Sequence, residues 1–281
     1  MFLWVCNACC YQKNLVKMSF ILYKKAWISN LPPHRSSFLP DEKCNELLNR
    51  GGRNVYNWDS MYKTSFWFVI KDSFGGMEEL SSKMRNQVRK SLKTYDVCRV
   101  SASEILRVGF PIFQTALENY KVKAAQISME TFETRIRQSE KAGNVDFGCV
   151  YEKETHKAVA LAINTLYEDC CDYNTMKAVP AYLRNSTYPY YGLIYEMNRY
   201  YLQELGVKYV NDGARSITEH SNIQPFLIDK FHFRKAYCQL QIVYQWWMKI
   251  AVNILFPFRK QIPVQAVKAI LNMEAMRRNK Y

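Results

Sequence analysis

Leu193, Ile194, Met197, Tyr200, Tyr201 and Leu205 recur at i, i+1, i+4, i+7, i+8 and i+12, the stripe of a helix lying on a sheet. Gly206 follows where a left-handed cap would end that helix. Residues 207–210 are short and β-rich, and Asn211, Asp212 and Gly213 behind them predict a turn at the strand's C-terminal end. Residues 223–231 fit a second helix, and Phe233-Arg234-Lys235 leads into a long strand over 236–243. Open α/β sheets hold ligands beyond the C-terminal ends of their strands, so function is expected around Asp212.

Earlier in the chain the same two periods alternate. Residues 65–71 (SFWFVIK) read as a strand with an exit loop over 72–76. Lys83, Arg85, Arg89, Lys90 and Lys93 then alternate with Met84, Val88, Leu92 and Tyr95 at helical spacing. This basic amphipathic helix is either a solvated cationic face or a rim that attracts an anionic ligand. A strand fits 97–100. Ser103 starts a helix with Ile105, Val108, Ile112, Phe113, Ala116, Leu117 and Tyr120 inward, which Gly109 and Pro111 should break or kink. Ser128 opens another helix, with Met129, Phe132 and Ile136 inward, that stops near Gly143. Strands follow at 145–151, 158–166 and 171–179, the first two joined by the polar turn 152–157, the last ended by Pro180.

The fold class is therefore α/β in the three-layer sense: a mixed, mostly antiparallel sheet flanked by helices. Pro32-Pro33, Pro40 and Gly51-Gly52 allow only short elements before about residue 60. We expect an irregular N-terminal layer with one strand over 1–75, the main domain over 76–243, and an amphipathic helix with a basic tail over 244–281. Met18 is an alternative start, which would make 1–17 an extension with no structural role. In the last region Trp246, Trp247, Ile250, Ala251, Ile254, Leu255 and Phe258 form an apolar stripe broken by Pro257 and followed by cations. It fits docking on the domain or a partner, or the interface of an anionic membrane.

Composition narrows the partners. The 281 residues hold 39 Lys and Arg against 25 Asp and Glu, a net charge of +14, which favours an anionic partner: a phosphorylated cofactor, nucleic acid or an anionic membrane surface. Nine cysteines without a small-domain spacing read as reduced thiols of a cytoplasmic protein. Cys6, Cys9 and Cys10 cluster, but no second ligand pair stands at usable spacing, so no metal is expected. No window approaches the roughly 18 uncharged apolar residues of a membrane span, and 1–5 is too short for a signal peptide's apolar region. The expected location is the cytoplasm, with peripheral contact at the inner face of the membrane.

The order of elements resembles the GNAT acyltransferase fold, and in detail its divergent branch of FemAB-like and cellulose-biosynthesis-type acetyltransferases. Arg85-Asn86-Gln87-Val88-Arg89-Lys90 is similar to the Arg-rich helix that introduces this branch. Tyr190-Tyr191-Gly192-Leu193-Ile194 resembles its Pro-Gly-x-Leu-Leu helix start, and Val210-Asn211-Asp212-Gly213 its Asp-containing strand. Phe231-His232-Phe233 resembles the Gly-Phe step after the last helix, with His232 replacing glycine. The resemblance covers roughly residues 80–243. It implies an acyl donor, acetyl-CoA or another acyl-CoA, and a saccharide or amine acceptor from cell-envelope or polysaccharide synthesis. Two departures stand out. The family's glycine-rich pyrophosphate loop corresponds to 184–192, which has only Gly192, so Arg184, Asn185, Ser186 and Thr187 would hold phosphate by side chains and helix dipole. The tyrosine that protonates the leaving thiolate falls near Ile228, which carries no proton to give.

The candidate site is then Asp212 or His220 as base, with Asn211, Arg215, Arg85, Arg89 and Lys90 toward the substrate. Arg215 would pair with Asp212 or with an anionic ligand. Glu168 and Asp169 read as turn acids, and neither a P-loop nor a dinucleotide fingerprint is present. Three functions compete: a GNAT-type acyltransferase; a FemAB-like transferase using aminoacyl-tRNA, favoured by the charge; and a non-catalytic GNAT-like binding module.

Overall fold

The computed structural model describes residues 13–15, 18–23, 26–47, 51–118, 127–217 and 223–281. In order these form β1 (Lys13–Leu15), β2 (Met18–Tyr23), β3 (Ala26–Ser29), α1 (Asp41–Leu47), β4 (Gly52–Tyr56), β5 (Phe66–Lys71), α2 (Ser82–Thr94), β6 (Tyr95–Val100), α3 (Ala102–Glu118) and α4 (Met129–Ala142). Next come β7 (Val145–Glu152), β8 (Ala158–Leu166), β9 (Cys170–Ala178), α5 (Pro180–Arg184), α6 (Pro189–Asn198), β10 (Tyr209–Ala214), α7 (Ile223–Phe231), β11 (Arg234–Val243), α8 (Trp246–Leu255) and α9 (Gln265–Arg277). Among the described residues the sheet has eleven strands in the order β1-β2-β3-β4-β11-β5-β10-β9-β8-β7-β6. Among these strands only β3–β4 and β9–β10 are parallel pairs within the described residues. The mixed, mostly antiparallel sheet with helices on both faces is the expected fold class.

β8 shows why the sheet holds. Val159 to Ile163 are all buried, Ala160 and Ala162 toward the core that contains Leu193 and Ile194 of α6, Leu161 and Ile163 toward α3 and α4. A strand covered on both faces needs no polar alternation. α2 and α6 share the first face: Met84, Val88 and Ser91 are the buried stripe of α2, whose start is capped by Ser81 Oγ accepting from the Met84 N–H.

Several elements differ from the sequence reading. α3 runs unbroken through Gly109 and Pro111. A Cβ at Gly109 would stand 3.0 Å from Phe132 Cζ, so this glycine admits close packing, and burial of Ile105, Ile112 and Phe113 holds the helix despite the proline. The α6 stripe does not extend to Leu205, which is 44% exposed. A π-helical segment over Arg199–Glu204 follows α6, and its wider turn rotates the last residues off the core. Asn211, Asp212 and Gly213 lie inside β10 and do not form a turn, because β5 pairs past them, with Ala214 opposite Phe68. A bulge between Asn211 and Ala214, with Gly213 at φ +96°, absorbs the irregularity. Among its described residues, the region before residue 75 holds five strands where one was read, since the Pro and Gly punctuation hides short strands whose partners are distant: β4 pairs with β11. The basic tail contains α9, which packs Leu271 and Ala275 against Val252 of α8 and Phe256 just after it. Residues 1–12, with Cys6, Cys9 and Cys10, lie outside the described residues. Among the described residues no helix is long and apolar enough to cross a membrane.

Candidate functional site

β9 and β10 pair at three positions, Tyr209 with Cys170, Val210 with Cys171 and Asn211 with Asp172, and then part. β9 continues against β8, β10 against β5. The first residue of each strand beyond the last shared rung is a buried side chain with a polar group, Tyr173 and Asp212. Helices close over them on one face of the sheet. The Tyr173 hydroxyl donates to Asn198 Oδ1 of α6 at 3.0 Å, and Gln224 of α7 donates to the Ala214 carbonyl at 2.9 Å and hydrogen-bonds Asp212. Burial pushes Asp212 up to about 8 against the opposing pull of that Gln224 bond. Burial also raises Tyr173 well above the ordinary phenol, so it keeps its proton. Asn198 Nδ2, in a side chain only 1% exposed, has no hydrogen-bond partner. The wedge therefore joins a carboxyl that exchanges its proton near neutral pH to a phenol that does not ionise there.

Asn211 serves the opposite face, as the next residue along a strand does. Its Nδ2 donates to Asp172 Oδ1 at 2.8 Å, its Oδ1 accepts from the Gly213 N–H at 2.8 Å, and burial pushes Asp172 up to about 6. Arg215 is not brought to Asp212: it donates to the Ser65 carbonyl at 2.9 Å and lies over the rings of Tyr281 at 4.2 Å and Trp67 at 5.4 Å. His220 lies outside the described residues.

The residues expected to hold phosphate surround the start of α6. Tyr188 at the N-cap is left-handed (φ +60°) and Pro189 brings no N–H. The Tyr191 N–H donates to the Tyr188 carbonyl at 2.9 Å and the Gly192 N–H to Ser91 Oγ at 3.1 Å. A Cβ at Gly192 would stand 2.6 Å from Ser91 Oγ, so this glycine lets α2 and α6 touch and offers no phosphate cradle. Asn185 and Thr187 bond each other, and Thr187 Oγ1 also meets the Tyr95 hydroxyl at 2.5 Å. What faces the solvent there is cationic. Lys90 Nζ stands 5.9 Å from the Tyr188 ring centre, and Gln87 and Ser186 hydrogen-bond the Tyr188 hydroxyl, which these bonds and the charges of Lys90 and Lys83 hold below the usual phenol range. Lys83, Gln87 and Lys90 share one helical stripe at i, i+4 and i+7, beside exposed Arg184 and Ser186. Arg85 and Arg89 sit on the other flank of α2, and Arg85 donates to Ser82 Oγ at 3.4 Å.

Sequence reasoning missed Tyr173, Asn198 and Gln224, whose polarity inside apolar stripes was the available signal. It also missed a network under the other sheet face. His34 Nδ1 meets the Tyr209 hydroxyl at 2.5 Å and its Nε2 donates to Asp169 Oδ2 at 3.1 Å, with Arg35 and Lys208 also on Asp169 at 3.0 and 3.2 Å. Burial outweighs the carboxylate and lowers His34, so the ring is neutral at pH 7; burial alone would raise Asp169, but Lys208, His34 and Arg35 together lower it. His34, Asp169 and Cys170 bring three ligand atoms within 4.8 Å of one another. Two cations already match the Asp169 charge and both His34 nitrogens are bonded, so the group is a strut that fastens the N-terminal strands to β10.

No protein-family model matches the chain, and no curated protein matches it. Solved structures do. L-PGS from Bacillus licheniformis is 9% identical over 92% of this chain and 85% of that one, with a TM-score of 0.51. The C-terminal domain of a protein assigned as a lysylphosphatidylglycerol synthetase from Agrobacterium fabrum is 10% identical over 85% and 83%, with a TM-score of 0.49. FemX is 12% identical over 63% of this chain, with a TM-score of 0.48, and the chain spans 61% of its length. The fold is GNAT-like, and at such identities the likeness extends to fold alone.

Proposed function

We propose that this chain is an acyltransferase in which residues 76–243 carry the chemistry: an acyl group passes from an activated, phosphate-bearing donor to an amine or hydroxyl. The donor's acyl end enters where β9 and β10 part, its phosphates lie beside Lys83, Lys90, Arg184 and Ser186, and Asp212 takes the acceptor's proton. One observation carries this reading: a carboxyl with a proton affinity near 8 stands at the opening of a split sheet. Above that pH it is a base, while Asn198 Nδ2, oriented by the Tyr173 hydroxyl that donates to its Oδ1, is the donor toward a developing oxyanion. A saccharide or amine of a cell-envelope precursor as acceptor follows from the family resemblance.

Acetyl-CoA is the first candidate donor. A second reading, aminoacyl-tRNA, is favoured by the occupied N–H groups at the start of α6, which leave the phosphate grip to cationic side chains, and by the net charge of +14. A thermal shift with acetyl-CoA, deacylated tRNA and buffer separates the readings, because a ligand that binds only the folded state raises its midpoint. A rise with one donor assigns it; a rise with neither leaves a binding module for some other ligand.

A further inference from the structure

α8 has two apolar faces, and the described residues cover only one. Val252 and Phe256 turn inward onto Leu271 and Ala275 of α9, so the helix is anchored. On the outer side Trp246 (76% exposed), Trp247 (53%), Ile250 (52%) and Ile254 (63%) follow one stripe, continued by Phe258 (55%) after the helix. Isolated exposed apolar residues are ordinary, but five large ones on one short stretch mark an interaction surface.

Charge selects the occupant. No acidic residue occurs between Asp229 and Glu274, whereas Lys249, Arg259, Lys260 and Lys268 all do. Lys249, Lys260 and Lys268 are exposed, Lys249 within α8, Lys260 two residues beyond Phe258 and Lys268 in the first turn of α9. A second copy of the chain docking here by two-fold symmetry would set these cations against themselves. An anionic phospholipid surface meets both demands: phosphates for the lysines, and an acyl boundary for isoleucine and phenylalanine with indole rings at headgroup depth. α8 is ten residues long, which suits lying in the interface and excludes crossing it.

We infer that α8 docks the protein on the surface of an anionic bilayer, with Trp246, Ile250 and Ile254 buried in the headgroup–acyl boundary and the lysines on the phosphates. The inference stands independently of the acyl-transfer reading. The full chain is co-sedimented with phosphatidylcholine vesicles and with vesicles of phosphatidylglycerol and phosphatidylcholine, at low and high salt. A triple variant, Trp246→Ser/Ile250→Ser/Ile254→Ser, and a charge variant, Lys249→Gln/Lys260→Gln, run alongside. All five positions are exposed, and an unchanged unfolding midpoint confirms that the variants fold. Wild type is expected to partition onto the anionic vesicles only; the triple variant should bind roughly tenfold or more weakly, and the charge variant should lose part of the affinity and of its salt dependence. The inference is overturned if wild type stays in the supernatant with both vesicles, or if the folded triple variant binds as wild type does. It is equally overturned if neutral vesicles bind as well as anionic ones, or if the triple substitution only disperses a dimer.

Discussion

Asn211 Nδ2 donates to Asp172 Oδ1 at 2.8 Å across the last rung shared by β9 and β10. One residue further on, Asp212 and Tyr173 have no such rung between them, and the strands part. The half-buried Asp172 and the buried Asp212 thus flank the point of separation on opposite faces, held by an asparagine on one side and a glutamine on the other.

Both carboxyls give the fold a pH dependence of known sign. Their folded-state values, about 6 for Asp172 and about 8 for Asp212, lie above the ordinary 3.8, so the folded state holds the protons more tightly. Their stabilisation is complete below about pH 4 and is lost as the pH rises, through 6 for Asp172 and through 8 for Asp212. Urea unfolding from pH 4 to 8 should show the difference between wild type and Asp212→Asn changing across the whole window, at up to about 1.4 kcal/mol per pH unit. For Asp172→Asn it should change only below pH 6. Parallel curves for wild type and Asp212→Asn would mean that the carboxyl is not buried as described.

Gly192→Ala should destabilise by about 1–3 kcal/mol, because its Cβ meets Ser91 Oγ at 2.6 Å. In the Ser91→Gly background the same change should cost much less. Denaturant midpoints of the four combinations measure this coupling.

Lys71 is 2% exposed and pairs with Glu79 at 3.0 Å, and Glu79 also accepts from the Gly75 N–H. Glu79→Gln strands a buried cation and should cost about 3–5 kcal/mol. Lys71→Met, which keeps the volume and removes the charge, should cost less. Equal losses in thermal unfolding would show that the pair matters only as packing.

Lys83→Gln/Lys90→Gln should weaken binding of whichever donor raises the melting midpoint, strongly at low salt and less at high salt. Arg85→Gln/Arg89→Gln, on the other flank of α2, should have the smaller effect. Titration calorimetry at two ionic strengths compares the pairs. A larger loss from the arginine pair would move the phosphate site to that flank.

The stretch from α6 to β11 was legible because burial against one sheet face imposes a helical period on α6 and a dense apolar run on each strand. The β10 bulge was not: Asn211, Asp212 and Gly213 are turn formers by local preference, and only pairing with β5, from the start of the chain, makes them strand. The N-terminal strands were hidden for the same reason. Asp212 stood out in the sequence as a carboxylate behind a strand, yet its partners Tyr173, Asn198 and Gln224 come from three separate elements that sequence spacing cannot bring together. On α2 the two flanks were readable from spacing. Which one faces the loop before α6 depends on how closely Gly192 lets α6 approach.

The pH dependence of turnover in wild type and Asp212→Asn tests the central claim most directly, with the donor identified by thermal shift supplied at saturation. The account predicts a wild-type kcat that rises with pH, reaches half its maximum near 8 and levels off above it, a fall of roughly 10²-fold or more in Asp212→Asn, and donor affinity nearly unchanged. A variant that turns over at the wild-type rate with the same pH profile would contradict it.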